Sequence, residues 1–274
     1  MTSPQADDLL DFSRLAAIAA GSGKSNAAIL QEFKLSNAPD EALMRVAISN
    51  RDFEGAAVLA HRLRGAAMMV GAGRFAATCV AIAHASKVRD ARRLRDALTL
   101  FDRQALELHN FIGSLETGVA GAPVSSTTTH AAPCSGLAFI VVEDHEFQRA
   151  VMTRLLEKLG ARRVLGFGDA EAALRRLDDP DAACDIMLLD LALPGMGAMA
   201  LLRAIGERRH TVGVILNSAI NTADQAPSMA TGRSLGVTML GALGKPLTEA
   251  SLVPLIDHYR GHLATHAATQ AEHK

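Results

Sequence analysis

The chain has 274 residues, of which 49% are apolar, and it carries 28 basic against 29 acidic residues for a formal charge of −1. This balance excludes the strongly basic character of a dedicated nucleic-acid-binding protein, and the apolar content excludes a disordered chain. The length allows two domains, each with its own core. Three cysteines give no disulfide framework and are typical of a reducing compartment.

The first residues are not expected to form an export signal. Asp7, Asp8 and Asp11 occupy positions where a secretory signal needs positive charge. The apolar run Leu15–Ala20 is far too short to cross a bilayer. We therefore expect a cytoplasmic protein that has neither a membrane nor a nucleic acid as its partner.

The first half of the chain has helical periodicity. Apolar residues recur every three or four positions in five stretches, as in amphipathic helices. These stretches are Asn26–Lys34, Pro39–Ile48, Asp52–Val70, Gly73–Ala85 and Val88–Ile112. Asp40 is expected to cap the second helix, and Asn50 and Asp52 mark helix ends. Short connections between such helices predict an all-α antiparallel bundle over residues 1–117.

Residues 118–136 differ in composition from the chain on either side. They include no charged residue and are rich in Gly, Pro, Ser and Thr. This composition predicts a flexible linker between two domains.

The second half alternates short apolar runs with amphipathic stretches. The predicted strands are Leu137–Val142, Ile186–Leu189 and Gly213–Leu216, with a fifth strand expected within residues 239–246. The predicted helices are Glu146–Leu159, Ala170–Leu177, Ala198–Ile205 and Thr248–Tyr259. This alternation predicts an α/β domain over residues 137–260, with a doubly wound, five-stranded parallel sheet. Residues 261–274 are expected to form a polar tail.

Polar residues follow the predicted strands at their carboxyl ends, where ligands bind in such sheets. They are Glu143, Asp144, Asp190, Ser218 and Lys245. Clustered carboxylates repel one another unless a cation lies among them, and an all-oxygen site suits Mg²⁺. A carboxylate beside Mg²⁺ and a lysine can accept a phosphoryl group, whose charge the metal, the lysine and a hydroxyl would stabilise.

These residues, in this order, resemble the receiver domain of two-component response regulators, with its flavodoxin-like fold. The resemblance implies that Asp190 is the phosphoacceptor and that Glu143 and Asp144 hold Mg²⁺ together with the backbone carbonyl of Ala192. It further implies that Ser218 is the hydroxyl switch and that Lys245 contacts the phosphoryl group before a cis Pro246.

Three features depart from the receiver pattern. Ala242 stands three residues before Lys245, where receivers often carry a switching Tyr or Phe, so output through such an aromatic is not expected. Gly197–Ala198 replaces the usual Asp-Gly pair, and the helix before the fifth strand is expected to be irregular. Haloacid-dehalogenase-type phosphatases also place an aspartate after an apolar strand, but they need a second Asp where this chain has Ala192.

One helix of the first half carries a second candidate site. On the Asp52–Val70 helix, His61 lies about 100° from the centre of the apolar stripe, so its imidazole should reach solvent. Gly65 lies one turn further on, where a glycine costs about 1 kcal/mol and suggests that another group approaches the backbone closely. Arg64 can supply positive charge to a phosphorylated imidazole.

The run Ala60–Ala72 resembles a histidine-containing phosphotransfer (HPt) domain, in which His, Leu, a basic residue and Gly are followed by Gly-Ala. Arg64 replaces the common Lys, and Ala66 replaces a frequent Ser. The resemblance implies that His61 is phosphorylated and that Arg64 and Gly65 support or dock it. His84 and His109 lack a neighbouring glycine and are interpreted as structural. His258, His262 and His266 are interpreted as solvent-facing rather than as metal ligands.

Together, the two halves predict a phosphorelay protein in which His61 and Asp190 exchange phosphoryl groups, with each other or with partner proteins. The expected partners are sensor or hybrid histidine kinases and other receiver domains, and the expected cofactor is Mg²⁺. No kinase ATP-binding region is evident, which indicates a phosphotransfer intermediate rather than a turnover enzyme. The alternative is an adaptor whose receiver changes a binding surface on phosphorylation while the helical half is inactive.

Overall fold

The computed structural model describes residues 9–117, 132–179, 181, 183–218 and 225–271. It divides into two compact units, Met1–Thr128 with His145–Val151, and Thr129–Asp144 with Met152–Lys274. Within the described ranges, no helix combines the length and apolar character needed to cross a membrane.

The described part of the first half is helical, as predicted. Its helices are α1 (Phe12–Ser22), α2 (Asn26–Ser49), α3 (Phe53–Met69), α4 (Gly73–Lys87) and α5 (Ala91–Thr117). The side chains of Ser25 and Asp52 cap α2 and α3 by accepting hydrogen bonds from backbone N–H groups in the first turn. Helix α1 was not predicted, because its apolar run is short.

Helix α2 corrects the sequence analysis, which predicted two helices separated near Pro39. The helix runs without a break from Asn26 to Ser49 with Pro39 inside it. Phe33 and Met44, on either side of the proline, are both fully buried. Tertiary packing of these side chains outweighs the local cost of the proline. Asp40 is therefore not an N-cap, since it lies in the middle of the helix.

The predicted core face of α3 is confirmed. Ala56, Ala60, Leu63 and Ala67 are all buried, whereas Phe53, the first residue of the predicted face, is only half-buried at the start of the helix. In the same bundle, the rings of Phe75 on α4 and Phe101 on α5 pack with centroids 4.9 Å apart. Burial of this alanine-rich stripe fixes the rotation of α3 and thereby the direction of His61.

The second half contains the predicted five-stranded parallel sheet. Its strands are β1 (Ala138–Val142), β2 (Arg163–Phe167), β3 (Ile186–Leu189), β4 (Gly213–Ser218) and β5 (Thr238–Gly244). The strand order is β2-β1-β3-β4-β5, and every pair is parallel. The order reverses between β1 and β3, which is where open parallel sheets bind their ligands. The sequence analysis missed β2, a partly exposed edge strand with no continuous apolar run.

The helices of the second half are α6 (Glu146–Lys158), α7 (Ala170–Leu177), α8 (Gly197–Glu207), α9 (Ala226–Ser234) and α10 (Glu249–Ala271). Helix α10 continues past residue 260, where the polar tail was expected to begin. Most of the predicted linker, residues 118–131, lies outside the described residues. So do residues 219–224, the first part of the segment that was expected to be irregular.

Candidate functional site

Two adjacent strands bring three carboxylates to one edge of the sheet. Glu143 and Asp144 follow β1, and Asp190 follows β3. The backbone N–H of Asp190 donates to the carbonyl of Val142 at 3.0 Å, which continues the β1–β3 pairing up to the acids. Oxygen atoms of the three carboxylates lie within 4.8 Å of one another. The sequence analysis predicted this grouping correctly.

Lys245 joins the acids from the end of β5. Its backbone N–H donates to the carbonyl of Ser218 at 3.0 Å. The Nζ atom donates to Oδ2 of Asp190 at 2.8 Å and to Oε2 of Glu143 at 2.5 Å, and all three side chains are buried. The Lys245–Pro246 peptide bond is cis, as the resemblance implied.

Burial controls the ionisation of this cluster. Removal from water raises the pKa of Glu143 to about 7, and the charge of Asp190 raises it too, although the Lys245 ammonium acts in the opposite direction. For Lys245, burial alone would lower the pKa, but the carboxylates of Glu143 and Asp190 more than compensate and raise it. The lysine therefore remains an ammonium at neutral pH.

The donor set fits Mg²⁺. Three carboxylates and one ammonium carry a formal charge of −2, which one divalent cation neutralises. The ligand atoms are all oxygen, which is the ligand type that Mg²⁺ prefers. In the described part of the chain, this is the one group of acids, histidines or cysteines arranged for a metal ion.

The remaining receiver positions lie around the acids. Ser218 is buried at the end of β4. The backbone N–H of Ala192 donates to Oδ1 of Asp190 at 3.2 Å, which fixes the loop after the phosphoacceptor candidate. Ala242 lies half-buried on β5, so a methyl group stands where receivers often carry a switching Tyr or Phe.

His61 lies on α3, away from the buried alanine stripe, but it is less exposed than predicted. The residue is half-buried, and its Nε2 atom is inaccessible to solvent. The angle around a helix fixes a direction relative to the core but does not reveal other groups that pack beside it. The imidazole therefore reaches solvent only in part, with Nε2 on its covered side.

The reason given for Gly65 is confirmed. Gly65 is buried, and a Cβ atom placed on it would lie 2.5 Å from Oε1 of Gln148, which belongs to the same compact unit. Gln148 Nε2 also donates to the carbonyl of Arg62 at 3.0 Å. Only glycine leaves room for a side chain this close to the helix backbone.

The sequence analysis did not predict a partly buried ion pair between α2 and the residue that follows His61 on α3. The Nε atom of Arg62 lies 3.0 Å from Oδ2 of Asp40, which is almost fully buried on α2. The sequence did indicate the pair, because Asp40 is an acid on the core face of α2, but Asp40 was interpreted as a helix cap. Arg64 is half-buried on the same helix as His61. His109 contacts Glu41 at 3.1 Å, which agrees with its structural interpretation.

Comparison with protein families assigns both halves. Residues 28–117 match the Hpt domain, and residues 139–257 match the response regulator receiver domain. The chain is an Hpt domain followed by a receiver domain. This pair of domains belongs to two-component phosphorelay signalling.

Several characterised bacterial proteins are similar in sequence to part of this Hpt–receiver chain. The cyclic di-GMP phosphodiesterase RocR of Pseudomonas aeruginosa is 30% identical over 45% of the chain, which spans 31% of that relative. The sensor histidine kinase AruS of the same species is 37% identical over 48% of the chain, which spans 13% of AruS. The sensory/regulatory protein RpfC of Xanthomonas campestris is 31% identical over 45% of the chain, which spans 16% of RpfC. The chain thus spans less than a third of each of these proteins.

Proposed function

We propose that this Hpt–receiver protein passes a phosphoryl group between His61 and a receiver aspartate, and between Asp190 and a phosphohistidine. The observation that carries the proposal is the meeting of three carboxylates and Lys245 at the β1–β3 edge of the sheet. The partners would be a sensor or hybrid histidine kinase, other receiver domains, or the second domain of the same chain. The balanced charge and the three free cysteines support a cytoplasmic location.

At Asp190 a carboxylate oxygen would attack the phosphorus of a phosphohistidine. The O–P bond forms as the N–P bond breaks, and the imidazole nitrogen keeps the electron pair and then takes up a proton. Lys245, now 2.8 Å from Asp190, is placed to contact the incoming phosphoryl oxygens. Mg²⁺ held by Glu143, Asp144 and Asp190 would supply further positive charge to those oxygens.

The imidazole of His61 would accept a phosphoryl group from a receiver aspartate or donate one to it. Arg64, three residues further along α3, can pair with the phosphoryl group on the ring. Gly65 keeps the adjacent helix backbone accessible to the side chain of another segment, as Gln148 demonstrates. These features support a phosphorylated His61 rather than an idle surface histidine.

Phosphotransfer from a labelled kinase tests the proposal. The full chain is incubated with an autophosphorylated, ³²P-labelled hybrid histidine kinase and Mg²⁺, as wild type, His61→Gln, Asp190→Asn and the exposed control His84→Gln. We expect acid-labile, base-stable label that disappears in His61→Gln, and base-labile label that disappears in Asp190→Asn. His84→Gln should behave as wild type.

The adaptor alternative predicts a different result. Ala242 and the half-buried state of His61 favour it, because the first removes the usual output aromatic and the second restricts access to the imidazole. Label confined to Asp190, with His61→Gln indistinguishable from wild type, would establish the adaptor and refute the relay.

A further inference from the structure

Glu171 lies half-buried in the first turn of α7, and its carboxylate contacts the loop that follows Asp190. This β3–α8 loop consists of residues 191–196. The Oε1 atom of Glu171 accepts a hydrogen bond from the backbone N–H of Met196 at 3.1 Å, and the two residues are 25 positions apart in the chain. A Cβ atom placed on Gly195 would lie 3.4 Å from the same oxygen. The carboxylate therefore lies against the backbone of the loop and joins it to a different element.

Helix α7 does not need this carboxylate for its own N-terminus. Asp169 caps α7, since its Oδ1 atom accepts from the backbone N–H of Ala172 at 2.6 Å. Within the described residues, helix α8 has no capping side chain of its own and no acid in its first turn. It begins at the Gly197–Ala198 pair, where receivers usually carry Asp-Gly. The carboxylate of Glu171 therefore supplies the hydrogen-bond acceptor and the negative charge that the N-terminus of α8 favours.

The β3–α8 loop has most backbone freedom around Met196. Gly195 and Gly197 stand on either side of it, and both have a φ of +70°. Glycine has the widest choice of backbone conformations, so ordering two glycines costs more conformational entropy than ordering other residues. The hydrogen bond to Glu171 fixes the residue between them. Loss of that bond should release the end of the loop that leads into α8.

The other end of the β3–α8 loop contacts the phosphoacceptor candidate. The backbone N–H of Ala192 donates to Oδ1 of Asp190 at 3.2 Å, and Nζ of Lys245 donates to Oδ2 at 2.8 Å. One oxygen of Asp190 is thus oriented by the loop and the other by the lysine. Any movement of Ala192 changes the orientation of the carboxylate.

The segment between the two hydrogen bonds of the loop is short and stiff. Three residues separate Ala192 from Met196. One of them, Pro194, has a fixed φ and also restricts the backbone of Leu193 before it. A displacement at Met196 is therefore expected to move Ala192 as well.

We infer that Glu171 is a positioning residue for the receiver site, because its hydrogen bond to Met196 holds the β3–α8 loop in the arrangement that orients Asp190 for Mg²⁺. The inference rests on the proposed function, in which Asp190 and the carbonyl of Ala192 are ligands of Mg²⁺. Glu171 acts through the loop and is not itself a ligand. Removal of groups that orient metal ligands typically weakens metal binding ten- to a hundredfold.

Calorimetric Mg²⁺ titration of the full chain at pH 8 tests the inference. Glu171→Ala removes the acceptor, and Glu171→Asp keeps the charge but withdraws it by one methylene group, so both should bind Mg²⁺ about tenfold more weakly than wild type. Glu171→Gln keeps an acceptor oxygen at the same reach and should stay within about threefold of wild type. Glu249→Ala, which removes the first-turn glutamate of α10 in the same domain, is the matched control and should bind as wild type.

Backbone amide resonances give a second readout that does not depend on activity. In Glu171→Ala and Glu171→Asp, the amide of Met196 loses its charge-assisted acceptor, so its ¹H–¹⁵N resonance should shift in the absence of Mg²⁺. The resonance of Ala192 should shift with it if the loop moves as a unit. Both resonances should be unchanged in Glu249→Ala. Urea denaturation verifies that each variant is folded under the conditions of the titration.

Failure of the inference and failure of the proposed function give different results. Wild type that does not bind Mg²⁺ would refute the proposed metal site and the inference with it. Wild-type affinity in Glu171→Ala and Glu171→Asp, or a shift of Met196 without one of Ala192, would reduce Glu171 to a cap of α8. The buried side chain of Leu193 would then anchor Ala192 independently. Equal weakening in Glu171→Gln and Glu171→Ala would assign the effect to charge and overturn the role of the hydrogen bond.

Discussion

The Nζ atom of Lys245 lies 2.8 Å from Oδ2 of Asp190, and both side chains are at most 2% exposed. A second carboxylate, that of Glu143, accepts from the same ammonium. Lys245 is thus the cation that balances the buried acids of the receiver when no metal is bound. Its removal has consequences for both stability and metal binding.

Lys245→Ala should lower the free energy of unfolding by about 3 kcal/mol, because it leaves Glu143 and Asp190 buried without their cation. Urea denaturation followed by circular dichroism measures this change. Mg²⁺ should stabilise the variant more than wild type, since it replaces the lost positive charge. Lys158→Ala, at an exposed position of the same domain, should change stability by less than about 1 kcal/mol. Equal stabilisation of Lys245→Ala and wild type by Mg²⁺ would contradict this account.

The affinity for Mg²⁺ should increase as the pH rises through about 7. Burial raises the pKa of Glu143 to about 7, so below that pH Mg²⁺ must displace a proton from this carboxyl group. Without Mg²⁺, the contribution of Glu143 to the free energy of unfolding changes with pH in the opposite direction, because it falls as the pH rises. The folded protein binds this proton more tightly than the unfolded chain, so Glu143 stabilises the fold at low pH and loses that effect as the pH rises through about 7.

Calorimetric Mg²⁺ titrations at pH 6 and pH 8 measure this dependence. Glu143→Gln should bind Mg²⁺ more weakly and should lose most of the difference between the two pH values. Glu157→Gln, an exposed substitution, should retain it. A pH dependence that survives in Glu143→Gln would assign the titration to another group.

How far the sequence determined this site depends on the kind of signal each residue carries. Asp190 and Glu143 follow continuous apolar strands, and the strand order rule places such residues together without any knowledge of side-chain contacts. Strand β2 has no such run, since as an edge strand it is only partly buried and includes Arg163 and Gly166. Sheet membership there depends on pairing with β1, which a local pattern does not contain.

The helical half shows the same limit in another form. The buried stripe of α3 follows from its period, but the half-buried state of His61 depends on groups outside that helix. Asp40 was misinterpreted because a local capping rule was applied to a residue whose partner, Arg62, lies on a different helix. Periodicity thus predicts which face of a helix is buried, but not the long-range polar contacts that accompany it.

Arg64→Ala should slow phosphotransfer through His61 by roughly ten- to a hundredfold. A charge-assisted hydrogen bond to the phosphoryl group contributes about 1.5–3 kcal/mol, and alanine removes it. Arg64→Lys should retain part of the rate because it keeps the charge but not the two-pronged geometry. Single-turnover transfer from a labelled receiver measures these rates, and Arg95→Ala on an exposed turn of α5 is the control. Equal rates for Arg64→Ala and Arg95→Ala would exclude a role for Arg64.

Two of the ion pairs that α2 makes, Asp40–Arg62 and Arg45–Asp102, differ in burial and should differ in their contribution to stability. In the first pair the side chains of Asp40 and Arg62 are 6% and 28% exposed, whereas those of Asp102 and Arg45 are 45% and 43% exposed in the second. Asp40→Ala leaves the Arg62 guanidinium without its buried partner and should cost about 3 kcal/mol of stability. Asp102→Ala breaks a solvated pair and should cost less than about 1 kcal/mol. Chemical denaturation of both variants measures the contrast.

Asp40→Ala should also affect the chemistry at His61, because Arg62 is the next residue along α3. A released Arg62 side chain alters the surroundings of the imidazole, so transfer through His61 should slow while transfer to Asp190 is retained. Both rates come from the same labelled assay, with Asp102→Ala as the matched control. Equal transfer rates through His61 in Asp40→Ala and Asp102→Ala would show that the Asp40–Arg62 pair has no functional consequence for His61.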